Sequence, residues 1–413
     1  MIEQTAHPTL ALASTGFALR PYQRSAVDAA LASLRGKKDE NGVLVIPTGG
    51  GKSLILASLV KELAEPVLVL QPSKEILEQN VGKFRAYGGH CGVYSASAGE
   101  KRWSDVTFAT VGSIVNKKHL LDRFKYVVVD ECDTVNADDG MLADVINHMD
   151  VRVLGMTATP YRLSTGTNPI NYTKYSILKF ITRTNPRIFN RVVYHVQNKE
   201  LADAGFWAKF DYREVKAMNR QNLQVNSTGA DYTDASMRAE YRASDVPGKI
   251  VRVVNRVFHP EVARRNCLVF TKYVEEAEYV VRNVPGSAIV TAQTHPKERD
   301  RVISGFRSGR IRCVVNVGIL TVGFDYPELE SIVMARPTRS LRLWYQVVGR
   351  GARPHPQKRD CLVIDMGGNL AQFGKVEDLE LRDQGGWHVY GLGVGRQLTN
   401  VPFGDQYFRG NGG

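Results

Sequence analysis

The sequence predicts an α/β protein built on two parallel β-sheets. Apolar runs of strand length alternate with helical patterns early in the chain, at residues 43–46, 67–70, 106–109, 126–130 and 151–156. The same rhythm restarts later, at residues 267–271, 288–291, 311–316, 331–335 and 361–365. Such alternation is typical of sheets flanked by helices, where functional residues follow the carboxyl ends of the strands. The 413 residues are enough for two such domains.

A stretch without clean alternation separates the two sets of strands. We therefore expect a first domain at residues 1–165, a second domain at 246–378 and a C-terminal tail at 379–413. Residues 166–245 should combine an irregular excursion of the first domain, a connector near 201–207 and the start of the second domain. Helices are expected over about 235–242 and 249–258. The aromatic side chains of the tail are expected to pack across the second domain, with stacking on bases as the alternative.

The charge and cysteine content narrow the class of protein. There are 54 basic and 42 acidic residues, a net charge of +12, which favours a polyanionic partner such as nucleic acid. The five cysteines form no C-x-x-C pair, so the pattern predicts neither a zinc ribbon nor a disulfide framework. No apolar run is long enough to suggest an export signal or a membrane span. We expect a protein of the cytoplasm, associated with the nucleoid, or of the host cytoplasm if it is phage-encoded.

The first strand runs into a glycine turn that is followed at once by a helical pattern. Backbone N–H groups in such a turn converge on phosphate oxygens, Lys52 reaches the β and γ phosphates, and the Ser53 hydroxyl suits Mg²⁺. Ile46 stands where the general G-x-x-x-x-G-K-[ST] motif has its first glycine, so an ordinary glycine turn is the alternative when the motif is taken alone. The predicted ATP phosphate site comprises Thr48, Gly49, Gly50, Gly51, Lys52 and Ser53.

A second chemical signal is the pair of acids that ends the apolar run at residues 126–130. Asp130 would hold Mg²⁺ through its water shell, and Glu131 would polarise the water that attacks the γ-phosphate. An isolated Asp-Glu pair is more often a solvated strand end. The phosphate loop upstream reverses that preference.

Further short segments complete an ordered pattern. They are LRPYQ (19–23), QPS (71–73), ATVGS (109–113), DECD (130–133), GMTATP (155–160), VFT (269–271), NVG (316–318), TVGFD (321–325) and QVVGRGAR (346–353). In this order they resemble the superfamily 2 helicases, over residues 19–365. Residues 306–309, 336–340 and 361–365 resemble, more narrowly, the RadD-like bacterial and UvsW-like phage DNA helicases.

The resemblance implies two tandem RecA-like domains, each a mostly parallel sheet flanked by helices, with ATP in the cleft between them. It places the ATP-binding domain first and the C-terminal helicase domain second. It also implies that Gln23 reads adenine through its amide, with Arg20 beside it. Gly323 and Asp325 would contact the ribose side of the nucleotide.

The resemblance assigns catalytic roles to the last motif as well. Arg350 and Arg353 would act as arginine fingers that neutralise charge developing on the γ-phosphoryl group, which requires the two domains to close. Gln346 would contact the γ-phosphate or the attacking water. The predicted catalytic set is therefore Lys52, Asp130, Glu131, Gln346, Arg350 and Arg353.

Backbone amides and hydroxyl groups at strand ends hold phosphates of one nucleic-acid strand in this superfamily, without reading sequence. Thr157 and Thr159 are expected to couple the nucleotide site to this track; each could instead be a strand-end cap. The matching residues for nucleic acid are Ser73, Thr110, Gly112, Thr271 and Thr321.

The predicted function is that of an ATP-dependent DNA helicase or translocase, monomeric, acting on branched or forked DNA in repair, recombination or replication. DNA is favoured over RNA because Thr157 and Gln346 stand where DEAD-box RNA helicases have serine and usually histidine. The alternatives are an RNA helicase, an ATP-switched annealing or clamp protein, and the motor subunit of a restriction-type complex. The sequence does not predict the polarity of movement.

Overall fold

The computed structural model describes residues 18–36, 40–134, 140–149, 151–167, 174–319 and 326–403. Its larger sheet has the strand order β10-β1-β7-β6-β2-β5-β3-β4, and every neighbouring pair is parallel except β3 and β4. The strands of the first half are β1 (Gly42–Val45), β2 (Val67–Gln71), β3 (Gly92–Ser95), β4 (Glu100–Lys101), β5 (Val106–Thr110), β6 (Tyr126–Asp130), β7 (Arg152–Thr157), β8 (Tyr161–Thr167), β9 (Lys174–Phe180) and β10 (Arg191–His195).

Helices cover this sheet. They are α1 (Pro21–Arg35), α2 (Lys52–Leu63), α3 (Lys74–Ala86), α4 (Val111–Ile114) and α5 (Met141–His148). The central strands β1, β2 and β6 are buried along their whole length, as expected for a parallel sheet covered on both faces. Their carboxyl ends therefore meet at one edge, where the predicted motifs stand.

A second, fully parallel sheet has the order β11-β16-β15-β12-β14-β13. Its strands are β11 (Phe210–Glu214), β12 (Cys267–Thr271), β13 (Ser287–Thr291), β14 (Cys313–Val317), β15 (Ser331–Met334) and β16 (Cys361–Asp365). The helices from the connector onward are α6 (Asn198–Asp203), α7 (Asp234–Ala243), α8 (Val246–Phe258), α9 (Val274–Asn283), α10 (Pro296–Arg307), α11 (Leu341–Gly349) and α12 (Asn369–Phe373). The predicted fold class is confirmed, and α7 and α8 match the two helices expected there.

The stretch between the two sets of strands belongs to both sheets. β10 pairs with β1 at one edge of the first sheet, and β11 pairs with β16 at one edge of the second. Strands β8 and β9 form an antiparallel hairpin apart from either parallel sheet. The connector between β10 and β11 contains α6. The limits proposed above for the domains stay a prediction.

The C-terminal segment is folded. Strands β17 (Leu379–Asp383), β18 (Trp387–Gly391) and β19 (Arg396–Gln397) form an antiparallel sheet, and β20 (Pro402–Phe403) pairs with β9. Trp387 packs against Phe180 and His195 of the first half, with ring centroids 6.3 and 4.8 Å away. The expectation that the tail aromatics pack across the second domain is therefore wrong for Trp387, because a contact so distant in sequence leaves no local pattern. None of the described helices is long and apolar enough to cross a membrane.

Candidate functional site

The predicted phosphate loop lies between β1 and α2, and its backbone requires glycine. Gly49 and Gly51 have φ values of 77° and 81°, in the left-handed region that side chains disfavour. A Cβ atom at Gly51 would also lie 2.3 Å from Nε2 of Gln23, so no side chain fits there. Lys52 and Ser53 are the first residues of α2, where free N–H groups and the positive end of the helix dipole favour an anion.

The start of α1 supports this loop. The Gln23 amide donates from Nε2 to the Gly50 carbonyl oxygen at 3.1 Å and accepts from the Arg20 N–H at 2.9 Å. The Tyr22 hydroxyl donates to the same Gly50 carbonyl at 2.9 Å. The Arg20 guanidinium lies over the Phe206 ring, 3.8 Å from its centroid. Gln23, predicted to read adenine, thus holds the phosphate loop here, and Phe206 adds an aromatic face that the sequence pattern did not indicate.

The two acids at the end of β6 face the loop. The Lys52 ammonium lies 3.3 Å from Oε1 of Glu131, in a partly buried ion pair. Asp130 accepts a hydrogen bond from Nδ2 of Asn80 at 2.8 Å, and the same Nδ2 donates to Oε1 of Gln71 at 3.1 Å. Asn80 was not predicted, and Gln71 stood in the QPS motif without an assigned role. They connect the end of β2 with Asp130 through one buried amide chain.

Burial determines the electrostatics of Asp130. Loss of solvent raises the pKa of its carboxyl group, and the negative charge of Glu131 raises it further. The Lys52 charge and the Asn80 hydrogen bond oppose this rise. Glu131 itself has a φ of 49°, a strained backbone for a residue with a side chain, which orients its carboxylate into the cleft. A divalent cation would remove the repulsion between the two acids.

Both halves of the chain line a single cleft of about 510 Å³, a size typical of small-molecule sites. Helix α11 and the turn after it contribute Gln346, Arg350 and Arg353 from the second sheet's side. The predicted catalytic residues that line the cleft are Lys52, Asp130, Glu131, Gln346, Arg350 and Arg353. The structure thus brings this predicted set together.

Direct contacts hold the second half against the phosphate loop. The Trp207 indole N–H, in the connector, donates to the Thr48 carbonyl oxygen at 2.8 Å. A Cβ atom at Gly349 would lie 3.0 Å from the Thr48 side chain, so α11 packs directly on the loop. A movement of the phosphate loop on nucleotide binding would therefore displace α11 and the connector as well.

The predicted coupling residues meet at a residue that was not predicted, Asp133. Thr157 and Thr159 donate from their hydroxyl groups to the two Asp133 carboxylate oxygens, at 2.7 and 3.0 Å. Nε of Arg342, on α11, lies 2.6 Å from the same carboxylate, in an ion pair that crosses between the halves. Burial raises the pKa of Asp133, and the Arg342 charge opposes this. The DECD motif in the sequence contained the signal for Asp133, but Arg342 requires the three-dimensional structure.

The residues predicted to contact nucleic acid follow strands of both sheets. Ser73 caps α3 just after β2, and Thr110 ends the neighbouring β5, where its hydroxyl donates to that of Ser95 at 2.9 Å. Gly112 is exposed. Thr271 ends β12 but is buried, and its hydroxyl donates to the Tyr273 carbonyl oxygen at 3.5 Å. Three predicted residues lie outside the described residues: Thr321, Gly323 and Asp325.

Two protein families match the chain. Residues 16–162 match the family described as the type III restriction enzyme, res subunit. Residues 249–355 match the helicase conserved C-terminal domain. The first match contains strands β1 to β7 of the first sheet, and the second match contains β12 to β15 of the second sheet, in the predicted order.

Individual relatives are similar over most of the chain. A Saccharomyces cerevisiae protein provisionally named ATP-dependent helicase IRC3 is 25% identical over 84% of this chain, which spans about half (51%) of the relative's length. The DNA 3'-5' translocase XPB2 of Sulfurisphaera tokodaii is 23% identical, over 84% of this chain and 81% of its own. The solved DNA-bound structure of the type ISP restriction-modification enzyme LlaBIII has the same fold, with a TM-score of 0.59 and 16% identity over 85% of this chain and 28% of its own.

Proposed function

The chain belongs to the superfamily 2 helicases, and from its cleft we propose that it hydrolyses ATP between the two domains to move along DNA and remodel or unwind branched or forked structures. The observation that carries the proposal is one cleft that collects Lys52, Asp130 and Glu131 from one sheet with Arg350 and Arg353 from the other. We place this activity in the cytoplasm. The narrower resemblance to RadD-like and UvsW-like helicases stays a prediction.

The donor set of the first domain fits ATP with Mg²⁺. Lys52 would bind the β and γ phosphates, and the Ser53 hydroxyl with the Asp130 carboxylate would hold the ion, which prefers oxygen ligands and keeps several waters. Bound Mg²⁺ would supply neutralisation of the phosphate charge. Asn80 fixes the Asp130 carboxylate from behind, as outer partners of metal ligands usually do.

The remaining steps belong to the chain's own side chains. Lys52 must leave Glu131 for the phosphates, which frees the Glu131 carboxylate to take a proton from the attacking water. Arg350 and Arg353 approach from the opposite side of the cleft and stabilise charge on the γ-phosphoryl oxygens. Hydrolysis therefore requires a closed cleft, which makes it sensitive to anything that brings the two domains together.

We propose that DNA binding brings the two domains together and so stimulates hydrolysis. Ser73 follows β2 and Thr110 ends the neighbouring strand β5, so the two residues lie at one edge on which phosphates of a single nucleic-acid strand can lie. The names of the relatives support DNA over RNA, and the name of XPB2 supports movement from 3′ to 5′. The net charge of +12 supports a nucleic-acid partner but does not distinguish DNA from RNA.

A triplex-displacement assay tests the motor directly. We expect the wild type with ATP to remove a third strand from duplex DNA, and Glu131→Gln to fail although it still binds ATP. Unwinding of a forked duplex, against annealing of its two strands by the same preparation, separates a helicase from an annealing protein. DNA-stimulated hydrolysis without displacement or unwinding would refute the motor and favour an ATP-switched clamp.

A second candidate is the motor subunit of a restriction-type complex. The match of residues 16–162 to the res subunit family favours it. Such a motor would need a nuclease partner to cut DNA. Displacement activity that appears only when a co-purifying nuclease is present would select this candidate over an independent helicase.

A further inference from the structure

Lys358 is a buried lysine in the loop between the arginine-bearing turn and β16. Its ammonium donates to the carbonyl oxygens of Arg353 at 2.6 Å, Gly351 at 2.8 Å and Pro327 at 3.1 Å. An ammonium has three N–H donors, so all of them are used on backbone. Only 7% of the residue is exposed.

Two of the three carbonyl groups belong to residues that line the cleft on the side of the second domain, Arg353 and Pro327. Helix α11 ends at Gly349, and the carbonyl groups of Gly351 and Arg353 lie past its end, where no further helical turn supplies N–H donors. The intervening Ala352 carbonyl accepts from the N–H of Ala208 in the connector at 2.7 Å. Lys358 and the connector thus hold alternate residues of one turn. Pro327 lines the same cleft.

The turn has little room to adjust if this support is lost. A Cβ atom at Gly351 would lie 2.3 Å from Sγ of Cys361 and 3.2 Å from Ile332, so the turn rests directly on β15 and β16. Burial lowers the pKa of the Lys358 ammonium, because removing a charged group from water costs free energy. A methionine would fill similar space without that cost. What the lysine adds is three N–H donors.

We propose that Lys358 is a positioning residue, which fixes the direction from which Arg353 approaches the nucleotide by holding the carbonyl groups of its turn. It does not line the cleft and does not touch the reacting phosphate. The inference rests on the proposed hydrolysis of ATP in this cleft. A misplacement of about 1 Å at such a group costs about 100-fold in rate.

The test is a double-mutant cycle on DNA-stimulated ATP hydrolysis with Lys358→Met and Arg353→Ala. We expect Lys358→Met to lower kcat by about 10- to 100-fold in the wild type and by less than about threefold in the Arg353→Ala background, because both act through one guanidinium. The Kd of a fluorescent ATP analogue should change by less than about twofold, since Lys52 and Ser53 bind the phosphates from the other domain. Arg359→Met, at the exposed neighbouring position, is the matched control and should leave kcat unchanged.

The outcomes separate this role from a purely structural one. Equal losses from Lys358→Met in both backgrounds would overturn the role of Lys358 and leave the proposed function intact. Full activity of Arg353→Ala would overturn the role of the arginine and this inference with it. If Lys358→Met does not fold, the cycle is run with Lys358→Gln, which keeps two N–H donors; loss of the fold in both variants would assign Lys358 to stability and overturn the proposal.

Discussion

Asp130 owes its orientation to two buried amide groups that lie behind it. Asn80 donates from one nitrogen both to the Asp130 carboxylate and to the Gln71 side chain, and all three residues are almost fully buried. Gln71 ends β2, immediately before the loop that contains Ser73. A displacement of that loop on DNA binding would therefore reach the carboxylate proposed to hold Mg²⁺.

Asn80→Leu removes this support while keeping the branched shape and the number of heavy atoms of the side chain. We expect the Mg²⁺ concentration for half-maximal ATP hydrolysis to rise by about 10- to 100-fold, the usual effect of losing an outer partner of a metal ligand. The measurement is a Mg²⁺ titration of the ATPase rate at fixed ATP. Glu78→Ala, exposed on the same helix, is the control. An unchanged Mg²⁺ requirement in Asn80→Leu would contradict the proposed role.

Glu276, near the start of α9, gives a pH-dependent prediction that is independent of catalysis. Burial raises the pKa of its carboxyl group to about 8, although N–H groups of Lys272 and Tyr273 partly oppose this. The folded state therefore keeps a proton that the unfolded chain releases near pH 4.5. The stabilisation is fully present below that pH and is lost as the pH rises towards 8.

Glu276→Gln makes the neutral form permanent. We expect its melting temperature to exceed that of the wild type by about 3 °C or more at pH 9, and to equal it within about 1 °C at pH 4.5. The control is Glu275→Gln, whose exposed carboxylate pairs with Arg238 at 3.1 Å and should give no gain at pH 9. Equal melting differences at the two pH values would show that Glu276 is not the titrating group.

Among the secondary-structure elements, helix α11 makes two of the contacts that couple the two halves. It packs on the phosphate loop at Gly349 and, through Arg342, reaches the carboxylate that also binds Thr157 and Thr159. Asp133 thus joins the end of β6, the end of β7 and a helix of the second sheet in one buried cluster. Such a cluster can report the state of the nucleotide to the nucleic-acid edge.

Arg342→Met breaks the crossing ion pair while preserving the aliphatic packing. We expect DNA-stimulated kcat to fall by about 3- to 30-fold, the range of an ordinary coupling free energy, with the KM for ATP within about threefold. Arg299→Met is a matched control because it breaks another pair between the halves, to Glu75 at 3.3 Å, but an exposed one that should contribute little. Similar losses in the two variants would argue that any contact between the halves matters equally.

The elements that were predicted have a pattern within their own segment of the sequence. Those that were not predicted depend on contacts with distant segments. Buried strands such as β6 and β16 are uninterrupted apolar runs, so the sequence indicates them directly. The edge strands β10 and β11 are half-exposed and mix charged with apolar residues, so neither was predicted. The position of the C-terminal sheet depends on hydrogen bonds between Gln197 and the backbone of Leu381, which no short pattern encodes.

At the scale of the whole molecule, the candidate site was predictable where one segment supplies the chemistry. The glycine loop, the paired acids and the two arginines were read from short motifs, and the structure gathers them in one cleft. The residues that position them were missed, because Asn80, Trp207 and Lys358 act through contacts between segments distant in sequence. A short motif therefore indicates the reacting groups, whereas the groups that support them are identified only from the tertiary structure.

The central claim is that DNA closes a cleft in which ATP is hydrolysed. The measurement that tests it most directly is the steady-state ATPase rate of the wild type and Glu131→Gln with no nucleic acid, single-stranded DNA, forked DNA or single-stranded RNA. We expect strong stimulation by DNA, greatest with the fork, and at least about a 100-fold lower rate in the variant because the proton acceptor is lost. Stimulation by RNA alone, or an undiminished rate in Glu131→Gln, would contradict the account.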